Sequence, residues 1–331
     1  MNAFKIINGG VNSRPHISIA IRTYNHQKFI GQAIESVLMQ NTSYSYEIAV
    51  ADDCSPDNTR NVILEYQKKY PEKIKLILQE KNVGHNKNQI TLLTNLSGKY
   101  VALLDGDDYW TDPLKLQKQV DFLENNGDFA SCFHNVSVLK EGQFQNDNMI
   151  EVKDVTTIYD LARNNYIRIS SFTFRNNLVK DFPEEIETVS GDDYFHFMLV
   201  SKYGKIRKMR EIMAVYRRHD DSMSSAMAGL SMFKNTIRNV EVLFPHFDDD
   251  IAQILKEQHV EKIFHFAIFL VNYGLIEGKG FLFKSMNANM DTVLIRIVAL
   301  IQDNIILKGQ QKSLKFTFKN IFNLSKRRFT N

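Results

Sequence analysis

The sequence predicts an α/β fold, a mostly parallel central sheet flanked by helices, followed by a helical appendage. Three observations carry this. Four apolar strand candidates arrive in order over residues 16 to 107, helical patterns separate them, and the polar residues gather where strands end. Strands alternating with helices imply right-handed crossovers and therefore parallel pairing. In such sheets ligands collect at the carboxyl ends of the strands.

The strand candidates are His16 to Tyr24, Tyr46 to Asp53, Lys73 to Glu80 and Tyr100 to Asp107. Between the first two, Ile30, Ala33, Ile34, Val37 and Leu38 recur at helical spacing and mark one buried face. Between the next two, Asp57 is placed to cap a helix carrying Val62, Ile63 and Tyr66, which Pro71 ends. Gly84 to Ser97 is expected to form a third helix. From about residue 227 the pattern is helical, so the expected divisions are a flexible lead at 1–13, the α/β domain at 14–226, a helical appendage at 227–311 and a basic amphipathic tail at 312–331.

Composition narrows the class. The chain has 331 residues, 44% hydrophobic and 24% charged, as ordinary globular proteins do. Its two cysteines, Cys54 and Cys132, form no C-x-x-C pair, which disfavours a disulfide framework or structural zinc and fits a reducing cytoplasm. Neither a signal-peptide core nor a run of about 20 apolar residues is present, so an integral membrane protein is not expected. The net charge is +3, yet Gln302 to Asn331 holds seven Lys or Arg against Asp303 alone. That stretch carries +6 and the remainder −3, which argues against nucleic acid as the partner of the main domain.

Three strand ends place polar residues on one rim: Arg22-Thr23-Tyr24-Asn25, Asp52 to Asp57, and Asp105-Gly106-Asp107-Asp108. Oxygen-rich clusters suit hard cations such as Mg²⁺ or Mn²⁺, and these in turn bind phosphates. Neither G-x-G-x-x-G nor a P-loop follows the first strand, which disfavours dinucleotide oxidoreductases and P-loop enzymes.

The ordered set of segments resembles family 2 of the glycosyltransferases, which have the Rossmann-like GT-A fold. Ile19 to Asn25 is similar to the family's first strand and Ser36 to Gln40 to the end of its first helix. Asp52-Asp53-Cys54-Ser55-Pro56-Asp57-Asn58-Thr59 resembles its D-D-G-S-x-D-x-T loop; Asn82-Val83-Gly84 with Asn88, then Leu104 to Asp108, continue the order. Downstream, Ser190-Gly191-Asp192-Asp193-Tyr194 and Tyr216-Arg217-Arg218-His219 match the segments that carry the base and close the site. Arg22 stands where proline is common, Cys54 where glycine is common, and Asp192 where glutamate is usual.

The resemblance implies an inverting, metal-dependent transferase acting in surface polysaccharide or glycoconjugate synthesis. It would use a nucleotide sugar, with UDP favoured, and a glycan or lipid-linked acceptor. Asp193 is then the base, and Asp107 with Asp105 and Asp108 holds Mn²⁺ or Mg²⁺. Thr23, Tyr24, Asn25, Asp53 and Lys87 are expected at the nucleotide, with Tyr24 stacking on the base and Asp53 accepting a base N–H. Gly106, Trp110, Asp192, Arg218 and His219 complete the donor site, Trp110 as a sugar platform or, nearly as well, a core residue, and Arg218 with His219 as a diphosphate clamp, His219 also being placed to complete the metal shell. His134 is expected at its border. The tail, with Leu314, Phe318, Ile321 and Phe322 on one face and lysines and arginines on the other, is expected to meet anionic lipid at the cytoplasmic membrane face. Packing or a subunit contact is the competing use of that tail, and an oligomer is compatible with the sequence. Outside this reading stand a nucleotidyltransferase and a non-catalytic binding protein on the same fold.

Overall fold

The computed structural model describes residues 4–11, 14–147, 149–179, 181–189, 193–219 and 230–272. The chain divides into two compact units, residues 1–255 and 256–331. Of the second unit, the described part is helical, residues 256–272 of a helix spanning Asp249–Asn272.

The first unit is a mixed sheet with helices on both faces. β1 (Phe4–Asn8), β2 (Ile17–Thr23), β3 (Tyr46–Asp52), β4 (Ile74–Gln79) and β5 (Tyr100–Asp105) come first in the chain. They are followed by β6 (Tyr109–Trp110), β7 (Phe129–Lys140), β8 (Gln143–Asn146), β9 (Val155–Thr156), β10 (Thr173–Arg175) and β11 (Lys205–Arg218). The spatial order is β1-β4-β3-β2-β5-β10-β7-β11-β6. Pairing is parallel through β4-β3-β2-β5 and between β7 and β11, and antiparallel at β1, β10 and β6.

The central strands read as near-continuous apolar runs because both their faces are covered. In β2, Ile17, Ile19 and Ile21 pack into one apolar cluster while Ala20 joins the other. α1 (Ile30–Leu38) lays Ile30, Ala33, Ile34 and Val37, all fully buried, against the first cluster. Each isoleucine or valine among them is worth about 1.5–3 kcal/mol when removed from water. Helix propensities differ by only tenths of that, so packing fixes α1 even though no side chain caps it. α2 (Thr59–Lys69) begins where Asp57 accepts the backbone N–H groups of Thr59 and Gln27 at 3.0 Å.

α3 (His85–Thr94) buries a polar face instead. Asn88 donates to the Ala51 carbonyl and accepts from Gln79, and Asn86 donates to the carbonyls of Ile186 and Val189. α4 (Lys115–Asn125), α5 (Ile158–Arg163) and α6 (Asp193–Ser201) complete the layers, and α7 (Leu230–Glu241) precedes α8 (Asp249–Asn272).

One expected boundary, that of the lead, needs correction. The lead expected to be flexible contains β1, which pairs with the open edge of β4 from Phe4↔Gln79 to Asn8↔Lys75. The 226/227 division falls outside the described residues, and the compact unit runs on to 255. Val240, Leu243, Ile251 and Leu255 are buried in the same apolar cluster as Phe172 and Phe197 of the sheet domain. The tail 312–331 lies outside the described residues.

Candidate active site

The acidic turn follows β5 directly and is held from three sides. Gly106 donates its N–H to the Arg22 carbonyl at 2.9 Å, keeping the turn against the end of β2. A Cβ at Gly106 would stand 2.7 Å from Thr23 Oγ1 and 2.8 Å from His26 Nδ1, so only glycine lets the backbone approach this closely. β6 pairs with β11, Tyr109 opposite Val215 and Trp110 opposite Ala214, which brings the end of β11 over the turn.

The neighbouring acids separate sharply. Asp107 Oδ2 lies 3.3 Å from His219 Nε2 and 3.8 Å from His26 Nε2. Burial pushes its carboxyl up, but the His219 hydrogen bond and the charges of His26 and His219 outweigh this and hold it below the ordinary value. Asp108, expected to share the metal, is fully buried. Its Oδ1 accepts the Arg217 N–H at 2.8 Å, and burial, then the charges of Asp107 and Asp105, push its carboxyl well above the ordinary range. Asp108 is thus an internal tie between the turn and β11.

Asp105 is engaged by Arg22, which donates from Nε at 2.5 Å and Nη2 at 3.2 Å. The same guanidinium donates to Gln89 of α3, and its Nη2 lies 2.8 Å from Asp193 Oδ1. Asp193 opens α6, while Ser190, Gly191 and Asp192 lie outside the described residues.

Other expected residues sort by burial. Tyr24 is 42% exposed on the rim, and Thr23 beneath it shares a 3.3 Å contact with His26. Asn25 turns the chain with φ 60° and donates its N–H to Ser55. Cys54 adopts φ 58°, so the loop keeps a left-handed residue although the side chain makes that costly. Asp53, expected at the base, is buried, and its two oxygens accept the N–H groups of Val83 and Gly84 at 2.7 and 3.0 Å. Burial pushes its carboxyl up against those two bonds. Lys87 is a solvated side chain, with Nζ 3.5 Å from Glu187.

Trp110 is a core residue in place of a sugar platform. It is 1% exposed and donates its indole N–H to the Ser170 carbonyl at 2.9 Å. Lys115 Nζ sits 4.1 Å from the ring centroid, a buried cation over an aromatic face. His134 is equally interior, bonded through Nδ1 to the Asn135 carbonyl at 2.8 Å, and burial pulls it well below the ordinary histidine value.

On the closing segment, Arg218 is exposed and His219 reaches Asp107, with its ring 4.5 Å from that of Phe29. Arg217 is the residue built into the site: it donates to the Asp107 carbonyl and, at 2.7 Å, to Gln32, and stacks between Phe29 and Tyr109. Sequence reasoning passed over Arg217 and His26.

Among the described residues no three His, Cys, Asp or Glu side chains are grouped in metal-binding geometry. The side chains at Asp107 nonetheless fit a cation completed by phosphate oxygens. One carboxylate faces two imidazole nitrogens, a mixed set that favours Mn²⁺ over the strictly oxygen-loving Mg²⁺. Asp107 and His219 would hold it, Asp105 being occupied by Arg22.

A family model described as glycosyl transferase family 2 matches residues 18–183. An uncharacterized protein of Mycobacterium tuberculosis is 35% identical over 207 residues, covering 61% of this chain and 59% of that protein. The match thus spans less than two thirds of that relative's length. The UDP-Glc:alpha-D-GlcNAc-diphosphoundecaprenol beta-1,3-glucosyltransferase WfgD of Escherichia coli is 30% identical over 245 residues, covering 72% of this chain and 89% of WfgD. Staphylococcus aureus TarS 1-349 in complex with UDP-GlcNAc superposes with a TM-score of 0.56 at 18% identity, covering 88% of this chain and 80% of that one. The mannosyltransferase PcManGT from Pyrobaculum calidifontis, in complex with GDP-Man and Mn²⁺, gives 0.56 at 14% identity, covering 88% and 85%. At these identities the structural likeness is one of fold.

Proposed function

The chain belongs to glycosyl transferase family 2, and from that premise we propose that it transfers a sugar from a UDP-sugar, with inversion, to a hydroxyl of a lipid-linked glycan. The observation that carries this is the convergence on one rim of Asp107 with its two imidazoles and of Asp193 with its arginine. WfgD supplies the donor and acceptor classes, since its name states a UDP-glucose donor and a diphosphoundecaprenol-linked acceptor.

In this reading Tyr24 stacks on the base from its exposed position, while Asp53 braces the Val83–Gly84 loop beside it. Asp193 takes the proton of the acceptor hydroxyl, a task for which reach matters more than an unusual pKa. The acceptor oxygen attacks the anomeric carbon opposite the diphosphate, the bond to the β-phosphate oxygen breaks, and the configuration inverts. Arg218 and His219 are assigned to the charge that grows on the leaving diphosphate, His219 lying beside Asp107. A divalent cation at Asp107 and His219 supplies Lewis-acid neutralisation of that charge when bound. The basic tail 312–331 is proposed to keep the enzyme at an anionic membrane face, near such an acceptor. Among the described residues no helix is long and apolar enough to cross a membrane.

The test is transfer from UDP-glucose and UDP-N-acetylglucosamine to a synthetic N-acetylglucosaminyl diphosphate lipid, with Mn²⁺ and with EDTA. Product is expected with Mn²⁺, of inverted configuration by NMR, and lost by at least about 1000-fold in Asp193→Asn. Unchanged turnover in Asp193→Asn would overturn the base assignment. A product of retained configuration would overturn the mechanism.

A further inference from the structure

Arg22 occupies the centre of the candidate site yet belongs to none of the roles above. It lies on β2, in parallel register with Asp105 of β5, and its side chain is only 7% exposed. Its guanidinium spans three elements: Asp105 at the end of β5, Gln89 on α3 and Asp193 at the start of α6. Asp193, by contrast, is 29% exposed. A buried cation therefore holds one oxygen of a carboxylate whose side chain remains partly open to solvent.

We propose that Arg22 is a positioning residue that sets the candidate base Asp193 against the donor-side acidic turn. The inference rests on the assignment of Asp193 as base. Three physical points support it. The guanidinium is planar with its donors in a fixed fork, so fixing Nε and Nη2 on Asp105 fixes where its charge stands, and Asp193 Oδ1 is held 2.8 Å from Nη2 as an ion pair. Gln89 takes the remaining Nη1, which prevents the fork from rotating away. Asp105 and Asp193 are both anions, and a single buried cation between them offsets a repulsion that would otherwise drive them apart.

The segment before Asp193 is tethered too. Asn86 of α3 donates to the carbonyls of Ile186 and Val189, so α3 holds the approach to α6 while Arg22 holds its first side chain. An arginine on β2 thus does two things at once. It removes Asp105 from metal binding, leaving Asp107 to that task, and it converts Asp105 into the anchor for the base.

The test is a double-mutant cycle on the full-length protein, following UDP release from UDP-glucose in Mn²⁺ with water as acceptor, beside calorimetric UDP binding. Misplacement of a catalytic group by about 1 Å costs on the order of 100-fold. Arg22→Met is expected to lower kcat by about that factor, with KM for UDP-glucose and UDP affinity within about threefold. Arg22→Lys, which keeps charge without the fork, should recover only part of kcat. Arg22→Met combined with Asp193→Asn should be no slower than Asp193→Asn alone, because Arg22 acts through that carboxylate.

Losses that multiply in the double variant would overturn the proposal, as would an Arg22→Met whose UDP affinity and melting temperature collapse together while kcat holds. If Asp193→Asn leaves kcat intact, the base assignment falls first and the positioning role with it. If Asp193→Asn is inactive and Arg22→Met is not, only the positioning role falls.

Discussion

The rim of the site and the layer directly beneath it meet at the turn 105–110 and have opposite physical characters. On the rim, Asp107 meets two imidazoles and Tyr24 stands in solvent. Beneath it, Asp108, Trp110, Lys115 and His134 are sealed within the fold. Chemically similar residues one or a few positions apart are therefore divided by the pairing of β6 with β11, which turns Asp108 and Trp110 inward. The difference teaches that an acidic motif names a place, while burial decides which of its carboxylates can meet a ligand.

The largest expected way to sharpen that contrast, in stability, is at Lys115. Burial pulls its amine from 10.5 to about 7, and no carboxylate is bonded to it; Nζ donates to Gln119 at 2.6 Å. Between pH 7 and 10.5 the unfolded chain holds more protons on this lysine than the folded one, so its contribution to stability rises with pH through that window. Below about pH 7 the full cost of the buried charge is present. Lys115→Met should therefore stabilise the protein more at pH 6 than at pH 9, by about 3 kcal/mol. Urea unfolding at the two pH values checks this, and an equal gain at both would mean that the amine is not held in a dry layer.

A smaller effect is expected on the rim. Cys54 carries φ 58° in a loop where the side chain gains only a 3.6 Å contact to the Glu80 carbonyl. Cys54→Gly should relieve about 1 kcal/mol of left-handed strain, offset in part by the extra freedom of glycine in the unfolded chain. Thermal unfolding should show a small rise in melting temperature. A fall would show that the thiol contact matters more than the backbone.

Much of this architecture was legible in the sequence, for stated physical reasons. The four parallel strands were apparent because burial on both faces leaves unbroken apolar runs ending in polar residues. α1 was apparent because its buried face is wholly aliphatic. α3 was weakly patterned because the groups it buries are amides bonded across the fold. β1 was missed because its alternation is poor and its partner edge lies some 70 residues away in sequence, in β4. Arg217 was passed over for a similar reason. Adjacent strand residues point to opposite faces, and only the register of β11 on β6 and β7 decides which arginine lies over the turn. Trp110 looked like a sugar platform from its place beside the acids, and the indole bond to Ser170 reveals a core residue. His26 has no local signature; the turn at Asn25 and the glycine at 106 bring it to Asp107.

The proposal that Asp107 alone of the neighbouring pair serves the donor is tested by calorimetric titration of UDP with Mn²⁺ into wild type, Asp107→Asn and Asp108→Asn. Asp107→Asn should weaken metal-dependent UDP binding by more than about 30-fold, roughly 2 kcal/mol. Asp108→Asn keeps an oxygen to accept the Arg217 N–H and should bind within about threefold of wild type. Equal losses in both variants, or full binding in Asp107→Asn, would contradict the division between rim and interior.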